Sequence, residues 1–247
     1  MEGLSDASIA RIQQGCELNG QRLVLWRHGR TAWNSEGRFQ GQTDVSLDEI
    51  GRAQAERAAT LLVALDPSFI VSSDLSRAHE TAVALASLSG LPMSVDADLR
   101  ETHGGQWQGC TGEEIRSRHG DLMSAWAAGE DVAAGVDGER RSEVAARMLA
   151  AIGRALASAP MQSTVVVVSH GGAIRAAIGS LLGLPIEYWP ALGGLANCAW
   201  SVLEESAATV VSTAGPGDPT NVAGPARWRL TEYNAGSLPE PVIGDDR

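Results

Sequence analysis

The sequence predicts an α/β fold, a mostly parallel sheet covered by helices on both faces. Three observations carry that prediction. Short apolar runs alternate along the chain with segments of helical periodicity. The run 164–168 is uncharged and β-branched throughout, the mark of a strand buried on both faces. The polar clusters 27–34, 72–77 and 169–172 each follow an apolar run, and ligands of such sheets bind outside the carboxyl ends of the strands.

The elements follow in chain order. Residues 23–26 read as a buried strand that ends in the loop Arg27-His28-Gly29. Residues 44–47 lead into a helix. Ser46 with Glu49 forms a capping box there, and Ile50, Ala53, Ala58, Leu61, Leu62 and Leu65 form its apolar face. Pro67 stops it. Residues 69–71 are a second strand, and 72–74 offer caps to a helix that Gly90-Leu91-Pro92 breaks. A third strand covers 93–95. Residues 101–140, rich in glycine and charge, read as an insertion over the site, with a helix near 113–126. Helices are expected at 143–157 and 173–182, on either side of the strand 164–168. Late strands are expected at 199–203 and 227–230, separated by a surface loop at 206–226. The main domain is thus expected over 21–235, with a weakly ordered segment at 1–20 and a frayed tail at 236–247.

Composition narrows the function classes. The chain has 247 residues and 44% apolar content, which suits one globular domain with a single core. Its net charge of −11 argues against a nucleic-acid surface, which needs a broad basic face. An anionic substrate would need positive charge gathered locally in a cleft. Cys16, Cys110 and Cys198 have neither paired nor metal-like spacing, and read as reduced thiols of a cytoplasmic protein. The first twenty residues hold no apolar run and are not expected to be a signal peptide. No stretch is long and apolar enough to span a bilayer, and there is no internal repeat.

The strand-end residues suit phosphate monoester chemistry. Such an ester carries about two negative charges near neutral pH. Without a metal, its cleavage needs cations for the equatorial oxygens, an in-line nucleophile, and an acid for the leaving oxygen. His28 is the candidate nucleophile, because a neutral imidazole nitrogen offers a lone pair and nearby arginines disfavour imidazolium. Arg27 and Arg77 offer donor forks for phosphate oxygens. His170, if protonated, adds a further donor. Glu101 is the candidate acid, and then the base for the water that cleaves phosphohistidine. Taken singly, each residue has an ordinary structural explanation; their convergence at strand ends on one sheet edge is the argument. His103 and His119 lack metal-ligand spacing, so neither a metal nor another cofactor is expected.

Four blocks in order carry a family resemblance: Arg27-His28-Gly29-Arg30-Thr31 with Asn34; Ser72-Ser73-Asp74-Leu75-Ser76-Arg77-Ala78 with Thr81-Ala82; Leu99-Arg100-Glu101 with Gly105, Trp107 and Gly109; and Ser169-His170-Gly171-Gly172. Together they resemble the histidine phosphatase superfamily, the phosphoglycerate-mutase-like proteins. The resemblance implies a three-layer α/β/α sandwich with His28 as nucleophile and Glu101 as proton donor. It implies a phosphate pocket of Arg27, Arg77 and His170, with Asn34 as a further phosphate contact. Gln40 and Gly41 lie where the family's substrate loop passes, and the backbone of Gly171 can face the phosphate. Two departures stand out: Arg30, where the family commonly has Gln or Glu, and Gln108, often Glu.

A narrower resemblance rests on Leu99-Arg100-Glu101-Thr102-His103, Trp107-Gln108-Gly109, the tract 188–194 with Asn197 and Trp200, and Arg227-Trp228-Arg229-Leu230. These blocks resemble the actinobacterial glucosyl-3-phosphoglycerate phosphatase family. The resemblance implies a small-molecule phosphate monoester as substrate and a homodimer as the working unit. His103 and the tract near Trp189 either shape the substrate mouth or pack the core and interface; packing is the better prior for the aromatic residues. Mutases and broad-specificity acid-type phosphatases share the pocket residues, whereas a non-catalytic phospholigand-binding module would have lost its nucleophile, and here the full set is intact. The stretch 101–140 contains no proline, unlike the Pro-rich closing insertion of the cofactor-dependent mutases, and this favours hydrolysis over transfer.

Overall fold

The computed structural model describes residues 20–205 and 228–236. Six strands form one sheet in the order β3-β2-β4-β1-β5-β6: β1 (Arg22–Arg27), β2 (Pro67–Ser72), β3 (Met93–Val95), β4 (Thr164–Ser169), β5 (Trp200–Glu205) and β6 (Trp228–Ala235). β1 to β4 are mutually parallel. β5 runs antiparallel to both β1 and β6, so it is the one reversed strand of the six. The expected loop at 206–226 lies outside the described residues, as do 1–19 of the expected N-terminal segment 1–20 and 237–247 of the expected tail 236–247.

Strand alternation divides the core into two layers. Leu23 and Leu25 of β1, with Val165 and Val167 of β4, face α5 (Arg141–Ser158) and α6 (Gly171–Leu181). Val24 and Trp26, with Val166 and Val168, face α2 (Glu49–Leu62) and α3 (Ser76–Ser89). β4 is buried along its whole length, as its uninterrupted β-branched run demands. The result is the expected three-layer sandwich. The two remaining helices are α1 (Ala32–Glu36) and α4 (Gly112–Ala127). α4 is kinked at His119, and Ile115 and Trp126 from this helix join Phe39, Trp107 and Ala134 in a third, smaller cluster.

Several local expectations need correction. The N-cap of α2 is Asp48, which accepts from the N–H of Gly51 at 2.7 Å, not Ser46. Its buried face is Gly51, Gln54, Ala55, Ala58, Ala59 and Leu62, while Ile50 and Leu61 lie exposed on the surface. The cause is close approach. A Cβ on Gly51 would stand 2.0 Å from the carbonyl oxygen of Arg30, so the helix turns its smallest residues toward the active loop, and apolar bulk goes outward. Pro67 does not merely stop this helix: a 3₁₀ turn carries the chain to Leu65, and Pro67 opens β2. α3 has no side-chain cap from 72–74; Asp44, from a separate loop, accepts from the N–H of its first residue, Ser76, at 2.8 Å. α6 begins at Gly171, two residues earlier than expected, with His170 as its N-cap residue.

Candidate active site

β1, β2 and β4 end at the same edge, and the chain after each supplies a site residue. His28 follows β1 and is buried. Its backbone N–H donates to Ser169 at 3.0 Å, which stitches the ends of β1 and β4 together. Its ring Nδ1 lies 2.7 Å from the carbonyl oxygen of Gly29. Only a protonated Nδ1 can donate there, so the neutral ring carries its lone pair on Nε2. Burial first, then the positive charges of Arg77 and Arg27, hold the His28 imidazole well below its ordinary pKa; the Gly29 contact opposes them. The sequence argument had named the arginines alone, whereas desolvation is the larger cause.

His170 lies beside His28, with ring centroids 5.1 Å apart and planes tilted by 58°. Its Nε2 is 3.0 Å from Ser73 Oγ, and its buried Nδ1 has no hydrogen-bond partner among the described residues. Burial and the charge of Arg77 hold this imidazole well below its ordinary value too. Both causes oppose the protonated His170 expected to form as charge develops on phosphoryl oxygens.

The two arginines are anchored by backbone carbonyls. Arg27, the last residue of β1, donates to Leu195. Arg77, in the first turn of α3, donates to Gly41 at 2.7 Å and Thr43 at 2.9 Å. The loop holding Gln40 and Gly41 is thus tied to the Arg77 guanidinium. Gln40 accepts from the Thr31 hydroxyl at 2.9 Å. Asn34 accepts from the N–H of Thr31 and from Asn197 Nδ2, which also donates to the carbonyl of His28. The Nδ2 of Asn34 is buried with no hydrogen-bond partner among the described residues.

Glu101 arrives from the loop after β3 and meets the start of α6. Its carboxyl accepts from the N–H groups of Gly172 at 3.0 Å and Ala173 at 2.9 Å, and from its neighbour Thr102 at 2.8 Å. A helix N-terminus presents such unpaired donors to anions. The fit explains the glycine: a Cβ on Gly172 would stand 2.8 Å from the Glu101 oxygen. Gly171 is buried as the first residue of the same helix.

His28, Arg27, Arg77 and His170 thus form one charged cluster, with Glu101 joined to it through α6. His103, two residues after Glu101, is half-buried; its N–H donates to the Glu139 carboxylate and its carbonyl accepts from the Glu139 N–H. The aromatic tract divides, with Trp189 buried in the core and Tyr188 exposed. Arg30, the first departure, pairs with Asp48 at 2.8 Å, so its extra charge is locally compensated. The second, Gln108, accepts from the N–H groups of Gln42 and Gly104, a task that needs only one side-chain oxygen. Ser73 and Thr81, which lie within the second motif block, support the site: Ser73 buttresses His170, and Thr81 accepts from the N–H of Gly29 at 3.0 Å. Arg147 and Glu139, which brace the Glu101 loop, are not legible in the sequence, because one charged residue in a helix and one in a loop carry no signal by themselves.

A sheet edge that gathers two buried histidines and two buried arginines has the parts of an enzyme of phosphoryl chemistry. The profile of the histidine phosphatase superfamily (branch 1) matches residues 23–213, and the chain belongs to that family. It is similar to the glucosyl-3-phosphoglycerate phosphatase of Mycolicibacterium vanbaalenii, with 43% identity over 222 residues covering 87% of this chain and 95% of that one. A solved mycobacterial glucosyl-3-phosphoglycerate phosphatase in complex with VO3 superposes with a TM-score of 0.74 at 42% identity, covering 87% of this chain and 98% of that one. A phosphoglycerate mutase-like protein of Arabidopsis thaliana is 38% identical over 162 residues, 64% of this chain and 70% of that one.

Proposed function

We propose that this protein is a metal-independent phosphomonoesterase that acts through a phosphohistidine on His28 and takes glucosyl-3-phosphoglycerate as substrate. The observation that carries the mechanism is the bond between His28 Nδ1 and Gly29, which leaves Nε2 as a nucleophile beside the positive charges of Arg77 and Arg27. Nε2 attacks phosphorus as the ester P–O bond breaks. Arg27, Arg77, His170 and Asn34 receive the equatorial oxygens, with the Gly171 N–H at the helix start beside them. Glu101 gives its proton to the departing alkoxide; the adjacent dianion favours the protonated form, against the three N–H donors that favour the carboxylate. Water then attacks the phosphohistidine, Glu101 takes its proton, and the P–N bond breaks.

The substrate rests on the names of relatives alike over most of both chains. Gln40, Gly41 and His103 are assigned to the substrate side of the pocket. A homodimer rests on the family resemblance alone. Cytoplasmic location rests on the reading of the cysteines as reduced thiols, and Cys110 and Cys198 are free. Phosphoglycerate mutation is the competing reading, favoured by the Arabidopsis relative's name.

The test measures phosphate release in EDTA from glucosyl-3-phosphoglycerate, 3-phosphoglycerate and p-nitrophenyl phosphate, with His28→Ala as control. Preferred turnover of the glucosylated ester, abolished in the folded variant, is expected. Interconversion of phosphoglycerates without phosphate release would establish the mutase, and equal weak turnover of all three would remove the substrate assignment.

A further inference from the structure

We propose that Arg147 and Glu139 are positioning residues for Glu101, a strut that fixes where the general acid presents its proton. The proposal rests on the reading of Glu101 as proton donor. Arg147 lies in the middle of α5, and all five of its guanidinium hydrogens find acceptors. Nε and Nη2 grip the two carboxylate oxygens of Glu139 at 2.8 and 2.9 Å. Nη1 donates to the carbonyls of Asp98, at 2.8 Å, and Arg100. Nη2 donates also to the carbonyl of Glu101 itself, at 2.9 Å. Glu139 extends the grip past the acid. Its Oε2 accepts from the N–H of His103 at 2.7 Å, its own N–H donates to the His103 carbonyl, and Gln42 bridges the Glu139 carboxylate to the Glu101 carbonyl.

The backbone is therefore held immediately before, at, and two residues after Glu101, while Gly172 and Ala173 hold its carboxyl. The side chains of Arg147 and Glu139 are only 15% and 23% exposed, so the pair is largely shielded from solvent screening. A planar five-donor fork is what this convergence needs; a lysine ammonium has three donors and cannot grip a carboxylate side-on. A staple serving stability alone has no reason to converge on the residues flanking the acid. Neither Arg147 nor Glu139 donates to the carboxyl of Glu101, so their effect acts through its placement.

The test compares Glu101→Gln, Arg147→Lys, Arg147→Ala, Glu139→Gln and the Glu101→Gln/Arg147→Ala double variant. Each is assayed on β-glycerophosphate, whose alkoxide needs a proton, and on p-nitrophenyl phosphate, whose phenolate does not. Melting temperatures are measured alongside. Glu101→Gln is expected to lose about 100-fold or more in kcat on the alkyl ester and under about 10-fold on the aryl ester. Arg147→Lys and Glu139→Gln are expected to reproduce that selectivity, with about 10-fold lower kcat on the alkyl ester and KM nearly unchanged. The double variant is expected to be no slower than Glu101→Gln alone. Equal losses on both esters in folded Arg147→Lys, or a multiplied loss in the double variant, would overturn the proposal. Should Arg147→Ala not fold, Arg147→Lys and Glu139→Gln decide the matter. Equal losses in Glu101→Gln itself would instead remove the donor reading on which the proposal stands.

Discussion

Ser73 Oγ lies 3.0 Å from Nε2 of His170 and accepts the N–H of Leu75 at 3.3 Å. Both groups are buried, so the contact fixes the plane of the His170 ring beside His28.

Replacing Ser73 with Ala removes that hydrogen-bond partner and leaves a buried ring nitrogen unsatisfied, at a cost of about 1–3 kcal/mol. The expected outcome is a lowered melting temperature and kcat reduced by roughly 10-fold, with His28 still phosphorylated on acid quench. Unchanged kcat would show that His170 keeps its orientation without Ser73.

His28 and His170 are both held well below the ordinary imidazole value, by burial first and by Arg77 second. Unfolded histidines titrate near about 6.5. Below that pH the unfolded chain binds protons that the folded chain refuses, so stability falls as pH falls. The slope reaches about 1.4 kcal/mol per pH unit for each histidine until its folded pKa is reached. The unfolding free energy is therefore expected to drop between pH 7 and pH 5, and His28→Asn/His170→Asn to flatten the slope. An equally steep slope in the double variant would place its origin elsewhere.

Gly51 packs directly on the active loop, where a Cβ would meet the Arg30 carbonyl oxygen at 2.0 Å and the Arg30 nitrogen at 2.8 Å. Both obstacles are backbone and cannot rotate away. Gly51→Ala is expected to destabilise the protein by about 3 kcal/mol and to displace the loop that carries His28. Chemical denaturation with activity measured in parallel checks this; near-normal values of both would show that α2 shifts freely.

Val136 adopts φ 76° while 55% exposed, a left-handed conformation that costs a β-branched residue about 1–2 kcal/mol. Val136→Gly relieves it, against the larger entropy of an unfolded glycine. A net gain of about 0.5–1 kcal/mol in thermal unfolding, with unchanged kcat, is expected. A loss would show that the isopropyl group packs usefully on its neighbours.

Legible from local pattern were the succession of strands and helices along the chain, the three strand ends that meet, and the gathering of His28, Arg27, Arg77 and His170 at them. These were legible because buried β-branched runs such as β4 and polar clusters after apolar runs are local signals. Local periodicity misjudged α2, whose packing face is chosen for small size, so Ile50 and Leu61 turn to the surface. Caps and struts supplied from remote segments were equally hidden: Asp44 for α3, Ser73 for His170, and Arg147 with Glu139 for the Glu101 loop. Tertiary structure alone decided these, and with them the neutral His170 and the hydrogen on His28 Nδ1. The physical reason is that close packing and charge state depend on which groups the folded chain brings within a few ångströms and away from water, and separation along the sequence does not encode that distance.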